Sequence, residues 1–391
     1  MRNLVVVLLI LSLAGASFAA GFLSRDFVQS LNPAAAAAVD FSLLQEAWGY
    51  VQASFYGEVP TPQQATYGAL RGALSTLNDP YTYFVEPPDR EAERDNLRGI
   101  AGGIGVNLSR NEAGQWLIEP IPDNPAAKAD IRAGDILLAV DGVVIGAEES
   151  VNAIQARLAG DKGTSVVLTI LRPPAGEPRE ITVIRDEILI PSVFYRVLAE
   201  APGIGYIQLN RFSEQSGREV HDAILALRAQ GADKLILDLR HNGGGLLQAS
   251  VDVSANFLKD LPVYIRASRD EGEQIQTTGA AALAFENPLA ILVGGGTASS
   301  SEIVAGALQD HGRAVLIGEP TFGKGSVQLI YDLSDGSSVH ITSSRWYTPE
   351  HRQIDQHGLQ PDIEVVPSQA ATDAGRDETL ARAVAYLQSG R

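Results

Sequence analysis

Three consecutive serines, Ser299, Ser300 and Ser301, follow the apolar, glycine-ended run "LAILVGGGTA" and precede Glu302 and an alanine-rich segment. Hydroxyls at such a strand-to-helix turn offer two roles. Ser-x-x-Glu ahead of an apolar run is a capping box, in which Ser299 caps a helix and Glu302 reaches back. A hydroxyl there also serves as an acyl-transfer nucleophile if a neighbour takes its proton. Lys324 is a candidate for that neighbour. It stands between Gly323 and Gly325 in "EPTFGKGSVQ", with Phe322 and Val327 close in sequence. A solvated surface lysine is the ordinary alternative. Flanking glycines, however, allow close backbone approach, apolar surroundings lower a lysine's pKa, and a neutral amine is a usable base. The third group of residues is "LILDLRHNGGGLL", an apolar strand running into Gly243, Gly244 and Gly245. Backbone N–H groups around Gly244, with that of Ser300 at the helix start, are of the kind that stabilise a developing oxyanion. Phosphate binding is the alternative for this loop, but the G-x-x-x-x-G-K-[ST] pattern is absent.

Other chemistries find less support. The chain contains no cysteine, which rules out thiol catalysis, disulfides and cysteine-ligated metals. None of the six histidines makes metal-ligand spacing with a second histidine or a carboxylate pair, and the G-x-S-x-G elbow is missing. A Ser-His-Asp arrangement stays open, because triads assemble in space. The net charge of −17 argues against a nucleic-acid partner, which needs a basic face. No metal and no organic cofactor is implied.

The elements that must position these residues follow from patterning. Arg2 precedes an apolar stretch from Leu4 to Leu23, long enough to span a bilayer as a helix. Ser17-Phe18-Ala19 offers the small-x-small pattern of a signal cleavage site. Residues 1–24 are therefore expected to be a membrane anchor or signal peptide, and 25–40 a linker. The rest of the chain then lies outside the cytoplasm, in the cell envelope or periplasm. Over 41–97 a helical region is expected: Leu43, Leu44, Trp48 and Val51, then Tyr67, Leu70, Leu74 and Leu77, repeat at helical spacing until "NDPYTYFVEPPD" breaks the pattern. Residues 98–186 read as short strands and turns, with a strand pair closed at Asp141-Gly142 and an amphipathic helix "SVNAIQARLAG". Over 187–368, near-continuous apolar strands such as "KLILDLR" alternate with helices, the pattern of a buried α/β core. Residues 369–391 contain a closing helix, "ETLARAVAYLQ". The expected fold class is α+β and multidomain.

Taken together, "GGTASSSEIVAGALQDHGRAVLIGEPTFGKGSVQ" and "LDLRHNGGGLL" resemble the signature of the carboxyl-terminal processing peptidases, the tail-specific serine proteases. Ser299 and Lys324 are 25 residues apart, which the resemblance gives as the spacing of nucleophile and general base. That spacing selects Ser299 over Ser300, which stands where many relatives have alanine. The resemblance further implies that Gln328 orients Lys324, that the glycine loop and Ser300 form the oxyanion hole, and that Asp310 occupies a position sensitive in some members. It implies a crotonase/ClpP-like α/β protease core and makes 98–186 a PDZ domain. Such modules add a peptide as an extra strand and hold its terminal carboxylate on backbone amides. Gly102, Gly103, Ile104 and Gly105 are the candidate carboxylate loop, with Ile104 and Val106 lining an apolar pocket. The expected function is a serine endopeptidase cutting proteins near apolar C-terminal tails, with the membrane met through the N-terminal segment and a homo-oligomer left open. The rivals are a catalytically inactive PDZ scaffold and a crotonase-like acyl-transfer enzyme.

Overall fold

The computed structural model describes residues 40–389 except 147, 175, 281–282 and 284–285. The apolar segment expected to be an anchor or signal peptide lies outside the described residues, as does nearly all of the 25–40 linker. Among the described residues no helix is long and apolar enough to cross a membrane. The chain divides into two compact units at Gly68/Ala69, inside the helical region expected over 41–97. The first unit holds the helix Ser42–Ser54 and the start of the helix Pro62–Ser75.

In the second unit, one sheet orders the strands Val193–Val197, Ile204–Leu209, Lys234–Asp238, Leu289–Val293, Val315–Gly318 and Ile363–Glu364. The first pair is antiparallel and the others are parallel. Alternation along the two central strands explains the continuous apolar runs. Leu235, Leu237, Leu289, Ile291 and Val293 face one core with Ile303, Val304, Ala307 and Leu308 of the helix Ser300–Asp310. Ile236, Ala290 and Leu292 face another with Ala383 and Leu387 of the helix Glu378–Ser389. A strand buried on both faces has no reason to alternate in polarity. The C-terminal segment holds a second, shorter helix, Gln369–Asp373, separated from the last one by Gly375 at φ 65°.

An antiparallel sheet flanks this core. It orders Tyr83–Val85, Ser338–Tyr347, Pro262–Ser268 and Gly272–Thr277, and Ser326–Asp332 also pairs with Ser338–Tyr347. The strand Tyr83–Val85 and the helix Pro87–Arg98 arise from the stretch that broke the helical pattern. Prolines there start a helix rather than stop one, since Pro at the first helical positions loses no hydrogen bond. The helix is polar nearly all round, so no apolar period announced it.

The strand-rich module orders Val106–Arg110, Trp116–Pro120, Asp135–Val140, Ser165–Leu171 and Arg179–Ile184. Asp141 and Gly142, at φ 49° and 74°, close the expected hairpin between Val140 and Val143, as a turn with two left-handed residues requires. The amphipathic helix is Val151–Leu158, capped by Ser150. The chain enters this module along Ile100–Gly103 and leaves along Asp186–Leu189, and these two passages pair as an antiparallel ribbon.

Candidate active site

The strand Leu289–Val293 delivers the chain to the serines through Gly294–Gly296 and Thr297. Thr297 Oγ1 accepts from Gly294 N–H (3.0 Å) and donates to Leu239 O (2.8 Å), which knots this turn to the neighbouring strand's end. Ser299 follows at φ 56°, ψ −119°. A residue with a Cβ is strained there by about 1–3 kcal/mol and persists only where its surroundings over-determine it. They do. Glu302 Oε2 accepts the Ser299 N–H at 2.9 Å, the glutamate half of a capping box. Ala298 N–H and Ser301 Oγ both donate to Asn242 O, at 3.1 and 2.7 Å. Ser300 Oγ donates to the carbonyls of Gly245 and Leu246, at 3.1 and 3.2 Å. Ser300 and Ser301 are 1% and 0% exposed, whereas Ser299 is half-buried. The neighbouring hydroxyls thus hold the turn, and Ser299 is the serine that the turn presents.

The glycine loop lies directly against it. A Cβ on Gly244, which sits at φ 102°, would fall 2.9 Å from Ser299 Cβ and 3.0 Å from Ser300 N. One on Gly245 would fall 2.1 Å from Phe212 O. Both glycines are therefore dictated by close approach. Phe212 N–H donates to Gly244 O (3.0 Å) and Leu246 N–H to Phe212 O (2.8 Å), which anchors the loop from its other side. The N–H of Gly244 itself donates to Asn242 Oδ1 at 2.9 Å. In this conformation that amide is turned into its own loop.

Lys324 is brought to the serines by the segment before it. Phe322 N–H donates to Thr297 O (3.0 Å). Thr321 Oγ1 and Gly323 N–H donate to Glu302 Oε1 (2.6 and 2.7 Å), and Lys324 N–H donates to Glu302 Oε2 (2.9 Å). The amides of Ser299 and Lys324 therefore share one carboxylate oxygen, and their nitrogens are at most twice that bond length apart. Glu302 is 0% exposed. Burial pushes its carboxyl up from the ordinary range, against the lowering effect of these donors. On the far side, Trp346 Nε1–H donates to Lys324 O (3.0 Å). The Tyr81 ring centroid lies 5.1 Å from Lys324 Nζ, while Phe322, expected to shelter the lysine, is 58% exposed. Burial lowers the Lys324 ammonium below the usual lysine range, and the charges of Glu93 and Glu302 pull it back up.

The glycines beside Lys324 answer to packing. At Gly323, φ 91°, a Cβ would fall 2.9 and 3.0 Å from the Gly358 and His357 nitrogens. At Gly325 it would meet Asp355 N at 2.6 Å and Asp355 Cβ at 2.7 Å. Gly325→Ala is accordingly expected to lower stability by about 1–3 kcal/mol through overpacking, read as a lower urea midpoint at unchanged slope. A midpoint equal to the parent's would show that the 355–358 segment gives way freely.

The remaining candidates are placed as follows. Gln328 lies in the strand Ser326–Asp332 just past a bulge, and its Nε2 donates to Ser326 Oγ (2.8 Å). Asp310 ends the helix that Ser299 begins; it pairs with Arg352 and accepts from Glu350 N–H (2.8 Å), a tether for the 350–352 turn. Gly102 and Gly103 belong to the ribbon, opposite Glu187 and Asp186. Ile104 is 2% exposed among Trp116, Ile118, Ile154 and Leu158, so it forms the interior of the module rather than an open pocket wall. Gly105, at φ 70°, packs so tightly on Asn124 that a Cβ would fall 2.3 Å from Asn124 Cβ. Val106 is half-buried and starts a strand at the edge of its sheet. Among the described residues no group of histidines and carboxylates could hold a metal ion. Sequence reasoning missed Asn242, Thr321 and Tyr81, and read Glu302 only as a cap. The Ser-x-x-Glu pattern did signal the Glu302 bond to Ser299, but nothing local announced its bonds to 321–324.

Strand, glycine turn, serine and helix, with a separate strand-rich module elsewhere in the chain, bring the backbone of a serine and that of a lysine onto one buried carboxylate. Comparison with known proteins gives the class. The sequence pattern of peptidase family S41 matches residues 203–365, and that of the PDZ domain matches residues 118–172. The chain is 37% identical over 338 residues to a carboxyl-terminal-processing protease of Picosynechococcus sp., covering 85% of this chain and 80% of that protein. It is 35% identical to the carboxy-terminal-processing protease of Bartonella bacilliformis, covering 83% and 75%. With the chloroplastic carboxyl-terminal-processing peptidase 2 of Arabidopsis thaliana it shares 35% identity, covering 86% and 67%. The chain belongs to peptidase family S41 and carries a PDZ domain. It is a serine-type peptidase of the carboxyl-terminal-processing kind.

Proposed function

We propose that the chain is an endopeptidase that cuts proteins near apolar C-terminal tails, with Ser299 as nucleophile and Lys324 as its base. The observation that carries this reading is the shared Glu302 oxygen, which couples the backbone of Ser299 to that of Lys324. Neutral Lys324 takes the Ser299 proton as Oγ attacks the scissile carbonyl. The Ser300 N–H and an amide of the Gly243–Gly245 loop receive the oxyanion; with Gly244's own N–H on Asn242, a neighbouring loop amide serves. The protonated lysine then returns the proton to the leaving amine, and water, deprotonated by the same lysine, releases the acyl group. Gln328 is assigned to orient Lys324, turning to it from Ser326. The peptidase family match over the glycine loop, the serines and Lys324 weighs against an inactive scaffold and against acyl transfer to a thioester.

The PDZ domain is assigned to capture the substrate's tail. Its edge strand Val106–Arg110 is open to an added strand, and the Gly103–Gly105 segment leads directly into that edge. The N-terminal apolar segment supports an extracytoplasmic site of action, as an anchor or a removed signal. The test is cleavage of a protein ending in an apolar tail, as free acid and as C-terminal amide. Amidation removes the charge that backbone amides bind, and a charge-assisted hydrogen bond is worth about 1.5–3 kcal/mol. Below saturation, cleavage of the amide should be about tenfold to a hundredfold slower. Equal rates would leave the module some role other than carboxylate capture.

A further inference from the structure

Asn242 is fully buried, at 0% exposure, between the glycine loop and the serine turn. Its Nδ2 donates to Leu209 O (2.8 Å), at the end of the strand Ile204–Leu209. Its Oδ1 accepts the Gly244 N–H (2.9 Å). Its own N–H donates to Leu239 O (3.1 Å), and its carbonyl accepts from Ala298 N–H and Ser301 Oγ. One side chain thus spaces the glycine loop from the sheet, while the same residue's backbone holds the turn that carries Ser299. We propose that Asn242 is a positioning residue for acyl transfer, setting the separation between the loop amides and the Ser299–Ser300 backbone. The inference rests on the Ser299/Lys324 reading.

The chemistry of the position is demanding. It needs a donor toward Leu209 O and an acceptor toward Gly244 N–H within one short, buried side chain, and asparagine supplies both. Alanine supplies neither and leaves a buried carbonyl and a buried N–H without partners. Ionised aspartate supplies two acceptors and sets a carboxylate against the Leu209 carbonyl. Protonated aspartate restores the donor–acceptor pair. None of the hydrogen-bond partners of Asn242 is titratable. In the chain before it, Asp238 and Arg240 are paired with each other, Arg240 also with Asp377, and His241 is exposed. Across the serine turn stand Glu302 and Lys324, which the parent and the Asn242 variants share.

A loop shifted by a fraction of its width mainly harms the transition state, where a misplacement of about 1 Å costs on the order of a hundredfold. Asn242→Ala, Asn242→Asp and Ser299→Ala are to be compared with the parent on one peptide substrate, at a temperature where each is folded by circular dichroism. Asn242→Ala is expected to lower kcat about a hundredfold with KM changed less than about threefold. The ratio of Asn242→Asp kcat to parent kcat is expected to rise as pH falls, because the variant gains its protonated, asparagine-like form while the ratio cancels the titration of Lys324. Should Asn242→Ala fail to fold, that ratio decides alone. A kcat close to the parent's, a loss confined to KM, or a ratio that stays flat or falls with falling pH would overturn the inference. Activity surviving in Ser299→Ala would instead overturn the dyad reading, whatever Asn242 does.

Discussion

Replacing Ser299 by alanine is expected to remove proteolysis while the chain stays folded. The substitution deletes one oxygen. The Glu302 bond goes to the backbone N–H of residue 299 and survives it, and alanine meets the same left-handed backbone strain as serine. Loss of a capping hydroxyl costs about 1 kcal/mol, so the unfolding midpoint should move little. Loss of a serine protease's nucleophile costs on the order of a millionfold in kcat. Ser300→Ala is the informative partner. Its hydroxyl is engaged by the Gly245 and Leu246 carbonyls, so that variant should lose stability and retain turnover. Turnover retained in Ser299→Ala and lost in Ser300→Ala would reassign the nucleophile.

Lys324→Arg is expected to be inactive as well, by about 10²–10⁴-fold or more, the range that general-base catalysis commands. Arginine keeps the positive charge and much of the length but stays protonated at every working pH. The parent's pH profile carries the same argument. A lysine acts as base only when neutral, so activity should rise with pH through its pKa and fall as pH drops below it. Burial lowers that pKa from the ordinary lysine range, although the charges of Glu93 and Glu302 oppose the shift. The acidic limb of kcat/KM should therefore lie below the ordinary lysine value of about 10.4. A flat profile, together with an active Lys324→Arg, would mean that some other group takes the serine proton.

The sequence by itself determined most of what is local in this protein. Uninterrupted apolar runs such as Leu289–Val293 meant buried parallel strands, because side chains at every position face a core. Asp141-Gly142 meant a hairpin, because both positions need left-handed backbone. Ser299 with Glu302 meant a helix start, because the bond that joins them spans three residues. Gly244, Gly245, Gly323 and Gly325 were visible as glycines, but their purpose lay in segments far along the chain: Ser299 and Ser300, Phe212, and Asp355 to Gly358. The strand Tyr83–Val85 was hidden for the same reason, since its partners are Ser338–His340. Tertiary structure alone decided that Glu302 serves the lysine segment as well as the serine, that the Tyr81 ring stands beside the lysine, and that Ile104 faces inward. Hydrogen bonds and close contacts between segments depend on three-dimensional approach, and periodicity within one segment carries no record of the other.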